Sequence, residues 1–477
     1  MSDRATLSRP ETLVQAEKLV LGEIHSSDEA YRNLRYLCDF VGDRWAGSES
    51  ERRGGEWLRD RAEGYGLRAP RLQQFGHVSW RRGPVSLRVT SPLEREVAAI
   101  ALPYTPSADL RGEAIWVGQG EEEDYAKLPP DACRGKIVVS WAESTPPPGG
   151  HASHRREKIG RALAAGAKAF LFVNQNAGMM AITGSLAAGF EGELPALGLP
   201  RESGDYVRRL LENGPVELAL RIDATFAETT SCNVLADLGP DRREGERGPE
   251  GFLLTGAHYD AHDVAVGALD NTSGTVVVLE AARALTKVEH LLPMPLRVVL
   301  FACEEVGLLG AWHYAKELAG ELPRCRFVLN VDSPVKSVPG EESLSLCGFP
   351  ELVPYFQRLG GELTYEFEVK DRISAYADHF PFSVAGVPSG TLGSRPTPGM
   401  VGRGWGHTPA DTVDKVNPKA LQAAAALVAR LLLRLAFEPE FPGRHRSREE
   451  MEKTIDASPI GWYVRRFGRY PFQPLTG

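Results

Sequence analysis

Between residues 232 and 438 the chain alternates unbroken apolar runs with segments of helical periodicity, and this alternation limits the folds it can adopt. The runs are GFLLTGAHYD, LRVVLFACEE, RFVLNVDS and VPSGTLG, and the predicted helices span 272–288, 307–319 and 418–437. Apolar runs without polar alternation are typical of strands that are covered on both faces. The sequence therefore predicts an α/β fold with a mixed, largely parallel sheet sandwiched by helices.

The residues that precede this region have a different pattern. Residues 12–66 show helical spacing, with AGSESERRGGEW between two helices, and residues 70–103 contain the short extended runs VSLRVT and VAAIALPY. Residues 104–222 are typical of a small separate α/β unit, in which GKIVVSW and KAFLFVN are strands, ELPALGLP is an extended turn and VELALRI is a closing strand. Polar residues form no cluster in this unit, so we expect catalysis outside it.

Composition and charge exclude several classes of function. The 477 residues are 42% apolar and 25% charged, with a net charge of -8 and scattered basic residues, which does not suit nucleic-acid binding. No uncharged apolar stretch reaches about 18 residues, and the N-terminus does not resemble a signal peptide, so we expect no membrane partner and a cytoplasmic location. The six cysteines occur singly, which argues against a thiolate metal cluster or a dense disulfide framework.

Titratable residues follow the ends of the predicted strands. They are His258 and Asp260, Glu304 and Glu305, and Asp332, together with Asp270 before a helix and His407 in the loop GRGWGHTPADT. In open α/β sheets, ligands collect at the carboxyl ends of the strands, so these distant residues are expected to share one crevice. Singly, each has an ordinary alternative: a core or exposed histidine, a helix cap, a solvated helix start or a turn.

Together these residues favour a metal site. Two imidazoles and several carboxylates without a cysteine indicate a hydrolytic zinc site and not a structural one. They are enough for two metal ions if one carboxylate bridges them. Such a pair can hold a hydroxide and polarise a carbonyl, which is the chemistry of amide or ester hydrolysis.

The motifs GAHYD, GALDNTSG, ACEEVGLLGA, NVDS, ADHFPF and HTPADT resemble, in this order, those of the dinuclear-zinc exopeptidases of metallopeptidase family M28. The resemblance covers residues 25–100 and 225–438. Residues 104–222 resemble the protease-associated domain often inserted in that family, through GKIVV, AGAKAFLFVN and LPALGLP.

The resemblance implies four segments. They are the N-terminal part of the peptidase domain (1–103), an inserted protease-associated domain (104–222), the catalytic zinc peptidase domain (223–440) and a C-terminal extension (441–477). The extension is either a docking arm or an oligomer contact, so a homo-oligomer is one expectation.

The resemblance also implies roles for single residues. One zinc would be held by His258, Asp270 and Asp332, and the other by Asp270, Glu305 and His407, with Asp270 as the bridge. Glu304 would be the general base, Asp260 would orient His258, and the bond from Asp270 to Asn271 would be cis. Tyr376 is a candidate to stabilise the oxyanion, with a core tyrosine as the alternative.

Three functions follow as hypotheses. The leading one is a zinc aminopeptidase that acts on peptides. The second is a dipeptidase or carboxypeptidase of the plasma glutamate carboxypeptidase type, in which Arg395 and Arg403 would clamp a substrate carboxylate unless they are surface arginines. The third is a receptor-like homologue without catalysis. His262 and Asp263 either line the pocket or belong to a loop without a ligand role.

Overall fold

The computed structural model describes residues 11–146, 150–187, 189, 191–240 and 251–466. Its helices of five residues or more in regular α-conformation are Glu11–His25, Glu29–Tyr36, Glu49–Gly64, Glu122–Ala126, Arg155–Ala164, Arg201–Leu211, Ser273–Thr286, Leu309–Glu317, Val353–Leu363, Phe380–Val384, Pro418–Phe437, Arg448–Asp456 and Gly461–Arg466. Its strands are Arg68–Ser91, Arg95–Glu96, Ile100–Ala101, Ala108–Trp116, Ile137–Trp141, Ala169–Val173, Ala196–Leu199, Glu217–Leu238, Phe252–His258, Leu296–Phe301, Cys325–Val331, Glu342–Leu346, Glu368–Asp371 and Ser389–Ser394.

The catalytic part of the sheet is centred on Phe252–His258. This strand pairs in parallel with Leu296–Phe301 on one side and with Cys325–Val331 on the other, and Cys325–Val331 pairs in parallel with Ser389–Ser394. All seven residues of Phe252–His258 are buried, so both faces of the strand are covered. The predicted mixed, largely parallel α/β sheet is confirmed.

The strand Glu217–Leu238 connects the two parts of the molecule. Its first half pairs with Ala108–Trp116, and its second half pairs with Leu296–Phe301 in the catalytic part. Along its length it also pairs with Arg68–Ser91. The strand predicted from VELALRI is present, but it does not end at residue 222, because the same strand continues into the catalytic sheet.

Three other local predictions also differ from the structure. AGSESERRGGEW does not separate two helices, since the helix Glu49–Gly64 begins inside it and the Ser48 hydroxyl accepts a hydrogen bond from the Glu51 N–H. VSLRVT belongs to the 24-residue strand Arg68–Ser91. ELPALGLP contains a buried strand, Ala196–Leu199, which pairs in parallel with Ala169–Val173.

Two stretches of the predicted segments, 241–250 in the catalytic domain and 467–477 in the C-terminal extension, lie outside the described residues. In the described part of the extension, Met451 and Ile455 are buried against this same chain. The helix Pro418–Phe437 has the length and hydropathy of a membrane span, but 78% of its most apolar window is buried inside the protein.

Candidate metal centre

The carboxyl ends of three parallel strands supply the predicted ligands. His258 is the last residue of its strand, Glu304 and Glu305 lie just beyond Leu296–Phe301, and Asp332 directly follows Cys325–Val331. Parallel pairing brings these three ends to the same edge of the sheet. His407 reaches that edge from a loop, in which its own backbone is left-handed, with a φ of 61°.

Asp270 lies between the two histidines. Its Oδ1 is 3.5 Å from His258 Nε2, and its Oδ2 is 3.3 Å from His407 Nε2. On the His258 side, Asp332 Oδ1 lies 3.8 Å from the same imidazole nitrogen. On the His407 side, Glu305 Oε2 lies 3.2 Å from the ring. The two oxygens of one carboxylate thus face two separate sets of donor atoms.

Two buried atoms of this cluster, Glu305 Oε1 and His262 Nδ1, have no hydrogen-bond partner within the described residues. Two sets of donor atoms, from His258, Asp270 and Asp332 and from His262, Glu305 and His407, each lie within 4.8 Å of one another. Buried carboxylate and imidazole atoms that converge in this way are costly without a compensating positive charge, and metal cations supply that charge. The residues present therefore fit two metal ions.

Neighbouring groups hold the ligands in place. Asp260 Oδ1 lies 3.3 Å from His258 Nδ1, and the same carboxylate accepts hydrogen bonds from the backbone N–H groups of Glu304 and Glu305, both at 3.1 Å. The Asp411 carboxylate accepts from the N–H groups of Leu269 and Asp270. Such outer contacts fix the orientation of metal ligands.

The loop that carries Asp270 is tied to the N-terminal helices. The guanidinium of the buried Arg44 donates to the carbonyls of Tyr259 and Val266 and to the hydroxyl of Thr272. The Asp270–Asn271 peptide bond is cis, as the resemblance implied. Sequence reasoning missed Arg44 and Asp411. The quoted motif HTPADT contains Asp411, but nothing in its spacing shows which backbone groups it binds.

The surroundings of Asp270 and Glu304 shift the pKa values of these two carboxyl groups in opposite directions. Burial would raise the pKa of Asp270, but its contacts with His258 and His407 hold it well below the usual value. Burial also raises the pKa of Glu304 well above the usual value, and the neighbouring Glu305 and Asp378 raise it further against the opposing effect of His258. A free carboxyl that retains a proton more easily than its neighbours suits acid–base work.

His262 and Asp263 have different surroundings. His262 is buried, with Nε2 2.9 Å from Glu305 Oε2 and its ring stacked on Trp45. Asp263 forms a two-point ion pair with Arg82, away from the donor cluster. Of the two residues left open by the sequence, His262 therefore faces the metal centre and Asp263 fixes the loop.

Tyr376 lies in the wall of the cavity that contains Asp270, Glu304 and His407. Its ring stacks on His154 at a centroid distance of 3.7 Å, and its hydroxyl donates to Glu157 Oε1 at 3.3 Å. Both partners belong to the segment 104–222. Tyr376 is thus near the metal centre, with its hydroxyl engaged by an acidic residue.

The segment 104–222 also contacts the metal centre directly. The Thr183 carbonyl lies 3.2 Å from His407 Nδ1, and the Thr183 N–H donates to the His407 carbonyl at 2.9 Å. His154, Arg155 and Arg156 line the same cavity as the metal-centre carboxylates. This unit therefore forms one wall of the cavity, while the predicted ligands and Glu304 all lie outside it.

Comparison with known proteins adds a family match. The sequence profile of peptidase family M28 matches residues 233–432. Aminopeptidase YwaD of Bacillus subtilis is 28% identical over 416 residues, which cover 84% of this chain and 82% of the relative. Carboxypeptidase Q of Mus musculus is 25% identical over 319 residues, which cover 64% of this chain and 65% of the relative.

A solved structure shares the fold. The peptidase M28 precursor from Shewanella amazonensis superposes with a TM-score of 0.75 at 23% sequence identity. The match covers 92% of this chain and 99% of that chain. The fold similarity therefore extends beyond the residues matched by the family profile and includes the segment 104–222.

Proposed function

We propose that this chain, whose residues 233–432 match the profile of peptidase family M28, is a zinc-dependent exopeptidase that removes N-terminal residues from peptides. The observation that carries the proposal is the position of Asp270, whose two oxygens face His258 and His407, beside the free Glu304. The similarity to an aminopeptidase over most of both chains supports the direction of cleavage.

We assign one metal to His258, Asp270 and Asp332. We assign the other to Glu305, His407 and the second oxygen of Asp270, as the resemblance implies, since both carboxylates lie within 3.3 Å of His407 Nε2. Imidazole and carboxylate donors without thiolate favour zinc in a catalytic role. When bound, two zinc ions activate water and polarise the scissile carbonyl.

Glu304 is the proposed general base. It takes a proton from the attacking water and returns it to the departing amine, so that the leaving group departs neutral. Asp260 positions this step, because its carboxylate holds the backbone of both Glu304 and Glu305. Tyr376 is the proposed donor to the oxyanion, for which its hydroxyl must turn away from Glu157.

Hydrolysis of aminoacyl anilides by the zinc-loaded protein tests this proposal. Glu304→Gln is expected to lower kcat by about 10²- to 10⁴-fold, which is the usual contribution of a general base, while two zinc ions remain bound. The matched variant Glu305→Gln is expected to lose zinc as well as activity. Unchanged turnover in Glu304→Gln would show that another group moves the proton.

A second candidate function is a dipeptidase or carboxypeptidase. Arg395 and Arg403 line a cavity beside the metal centre, and carboxypeptidase Q is among the relatives. N-acetylated dipeptides, compared with the same dipeptides with a free amine, separate the two functions. Cleavage of the acetylated set would replace the aminopeptidase assignment. A receptor-like homologue without catalysis would bind no zinc in the same preparations.

We further propose that residues 104–222 form a protease-associated domain, with the catalytic domain in 223–440. A cytoplasmic location is supported by the six cysteines, which are all free and buried. Light scattering tests whether the chain forms a homo-oligomer, and cell fractionation tests its location.

A further inference from the structure

His154, a half-buried residue of the segment 104–222, lies in the wall of the metal-centre cavity. Asp270 and Glu304 line the same cavity. The cavity is small, at about 30 Å³, which is room for about two water molecules. Because the space is so small, its wall groups lie close to any atom that binds there. The segment 104–222 therefore places an imidazole beside the proposed reacting groups.

The start of a helix fixes which nitrogen of the His154 ring carries the proton. His154 precedes the helix Arg155–Ala164, and its Nδ1 accepts a hydrogen bond from the Arg156 N–H at 3.3 Å. Its own backbone N–H donates to Glu157 Oε1 at 2.9 Å. A neutral imidazole has one donor and one acceptor nitrogen, so the ring proton lies on Nε2.

The charges around His154 keep its ring neutral. Burial, and then the positive charges of Arg155 and Arg403, lower the pKa of His154 well below the usual value. In the part of the chain that the structure describes, the hydrogen bond at Nδ1 is the only one made by the ring. The Nε2–H group is therefore available as a neutral donor to a bound molecule.

The His154 ring is also held by stacking. Its centroid lies 3.7 Å from that of Tyr376, and the two planes differ by 19°. The hydroxyl of Tyr376 donates to Glu157 Oε1, so it must rotate before it can meet a substrate. His154 needs no such rotation, because the helix start and the stacked ring both fix its plane. A donor that is fixed in advance costs no reorganisation during the reaction.

We propose that His154 is a catalytic residue, whose Nε2–H donates a hydrogen bond to the oxygen of the scissile carbonyl as negative charge develops on it. The proposal rests on the peptidase function proposed above and adds to it a residue from the segment 104–222. The proton stays on Nε2 throughout, and no covalent bond to His154 forms or breaks. His154 thus stabilises charge, while Glu304 moves the proton.

Three substitutions separate the donor from its two structural contacts. His154→Asn keeps a residue that is favoured at a helix start, and His154→Phe keeps a ring to stack on Tyr376. Both lack the Nε2–H group. His154→Gln supplies an amide N–H at about the reach of Nε2 and is the conservative variant. The exposed His290→Asn is the matched control.

The kinetic test uses leucyl anilide and the zinc-loaded protein. His154→Asn and His154→Phe are each expected to lower kcat by about 10²- to 10³-fold, the usual effect of losing one oxyanion donor. KM should change little, because the donor acts in the transition state. His154→Gln should recover part of the loss, and His290→Asn should match the wild type. A loss confined to one of the two variants Asn and Phe, or to neither, would overturn the proposal.

A binding measurement separates this proposal from the peptidase function. Leucinal forms a tetrahedral hydrate and leucinol does not, so calorimetric titration compares the two on wild type and His154→Asn. The variant should bind leucinal about 10-fold more weakly, the usual effect of one hydrogen bond, and leucinol equally well. Equal weakening of both ligands would overturn the donor role.

The two proposals fail in different ways. If the wild type cleaves no anilide but its binding of leucinal depends on His154, the peptidase function fails and the donor stands. If anilides are cleaved and His154→Asn keeps the kcat and the leucinal affinity of the wild type, the donor fails and the peptidase function stands.

Discussion

Burial shifts the pKa values of two acids on the catalytic side of the cleft and of two bases on the side formed by residues 104–222. On the catalytic side, burial raises the pKa of Asp411 to about 7 and that of Glu51 to about 8. On the side formed by residues 104–222, burial lowers the pKa of Arg155 to about 9 and that of Lys158 to about 8. Desolvation disfavours the charged form in every case, so one cause acts in opposite directions on acids and bases.

The difference follows from the groups that each side contributes. The acidic side holds converging carboxylates that cations can neutralise, and the basic side, formed by residues 104–222, adds Arg155 to the wall of the same cavity. Thr183 joins the two sides, since it is paired in both directions with the metal-centre residue His407.

The variant with the largest expected effect is Asp270→Asn, which removes the carboxylate shared by the two proposed metal sites. Asp270→Asn takes one ligand from each metal, so the zinc content is expected to fall below two ions per chain. Loss of metal assistance is worth several kcal/mol, and kcat/KM is expected to fall by about 10³-fold or more. Metal analysis and anilide hydrolysis measure both effects.

The exposed Asp109→Asn is the matched control for this experiment and should retain wild-type zinc and turnover. Two zinc ions and normal kinetics in Asp270→Asn would show that Asp270 does not bridge the metals. In that case His262, whose Nε2 is close to Glu305, is the next ligand to remove.

The second test concerns Glu51, a buried acid behind the metal centre. Its carboxylate accepts hydrogen bonds from the Gly47 N–H and the Ser231 hydroxyl. Its pKa is raised from 4.5 to about 8, so its contribution to stability is complete below pH 4.5 and is lost as the pH rises to about 8. Relative to wild type, Glu51→Gln should gain stability across this window, by up to about 1.4 kcal/mol per pH unit.

Denaturant unfolding of the two proteins at a series of pH values, at constant zinc, measures this gain. The exposed Glu63→Gln serves as the control and should show no such trend. A constant difference between Glu51→Gln and wild type from pH 5 to pH 8 would mean that Glu51 is ionised throughout.

The sequence predicted the acidic side in more detail than the basic side. His258, Glu304, Glu305 and Asp332 follow apolar strands, and parallel pairing then brings strand ends together without further information. The ligand roles of these residues remain proposals, but their convergence follows from a local pattern and a general rule for α/β sheets.

The basic side depends on contacts that no local pattern shows. Arg155 begins a helix, where a basic residue is ordinarily solvated, and it meets Arg403 only through the path of the chain. The sequence predicts only the short strand VELALRI in this part of the chain, because the rest of the strand Glu217–Leu238 depends on partners far away in sequence. Contacts between residues far apart in sequence therefore account for the two features that the sequence did not predict, the position of Arg155 and the length of the strand Glu217–Leu238.

The smallest expected effect concerns Lys158, a base whose pKa is lowered by burial, whereas burial raises the pKa of the acid Glu51. Its side chain is buried, and its Nζ donates to the carbonyls of Trp141 and Ala142. The pKa is lowered from 10.5 to about 8, so the contribution of Lys158 to stability is complete above pH 10.5 and is lost as the pH falls to about 8.

Relative to wild type, Lys158→Met should therefore gain stability as the pH falls from 10.5 to 8, by up to about 1.4 kcal/mol per pH unit. Loss of the two hydrogen bonds lowers the stability of the variant by an amount that does not vary with pH, so the slope and not the offset is the test. The exposed Lys419→Met should give no slope. The Glu51 window covers a wider pH range, and its slope has the opposite sign. Slopes of the same sign in the two variants would show that burial does not shift the pKa values of Glu51 and Lys158 in opposite directions.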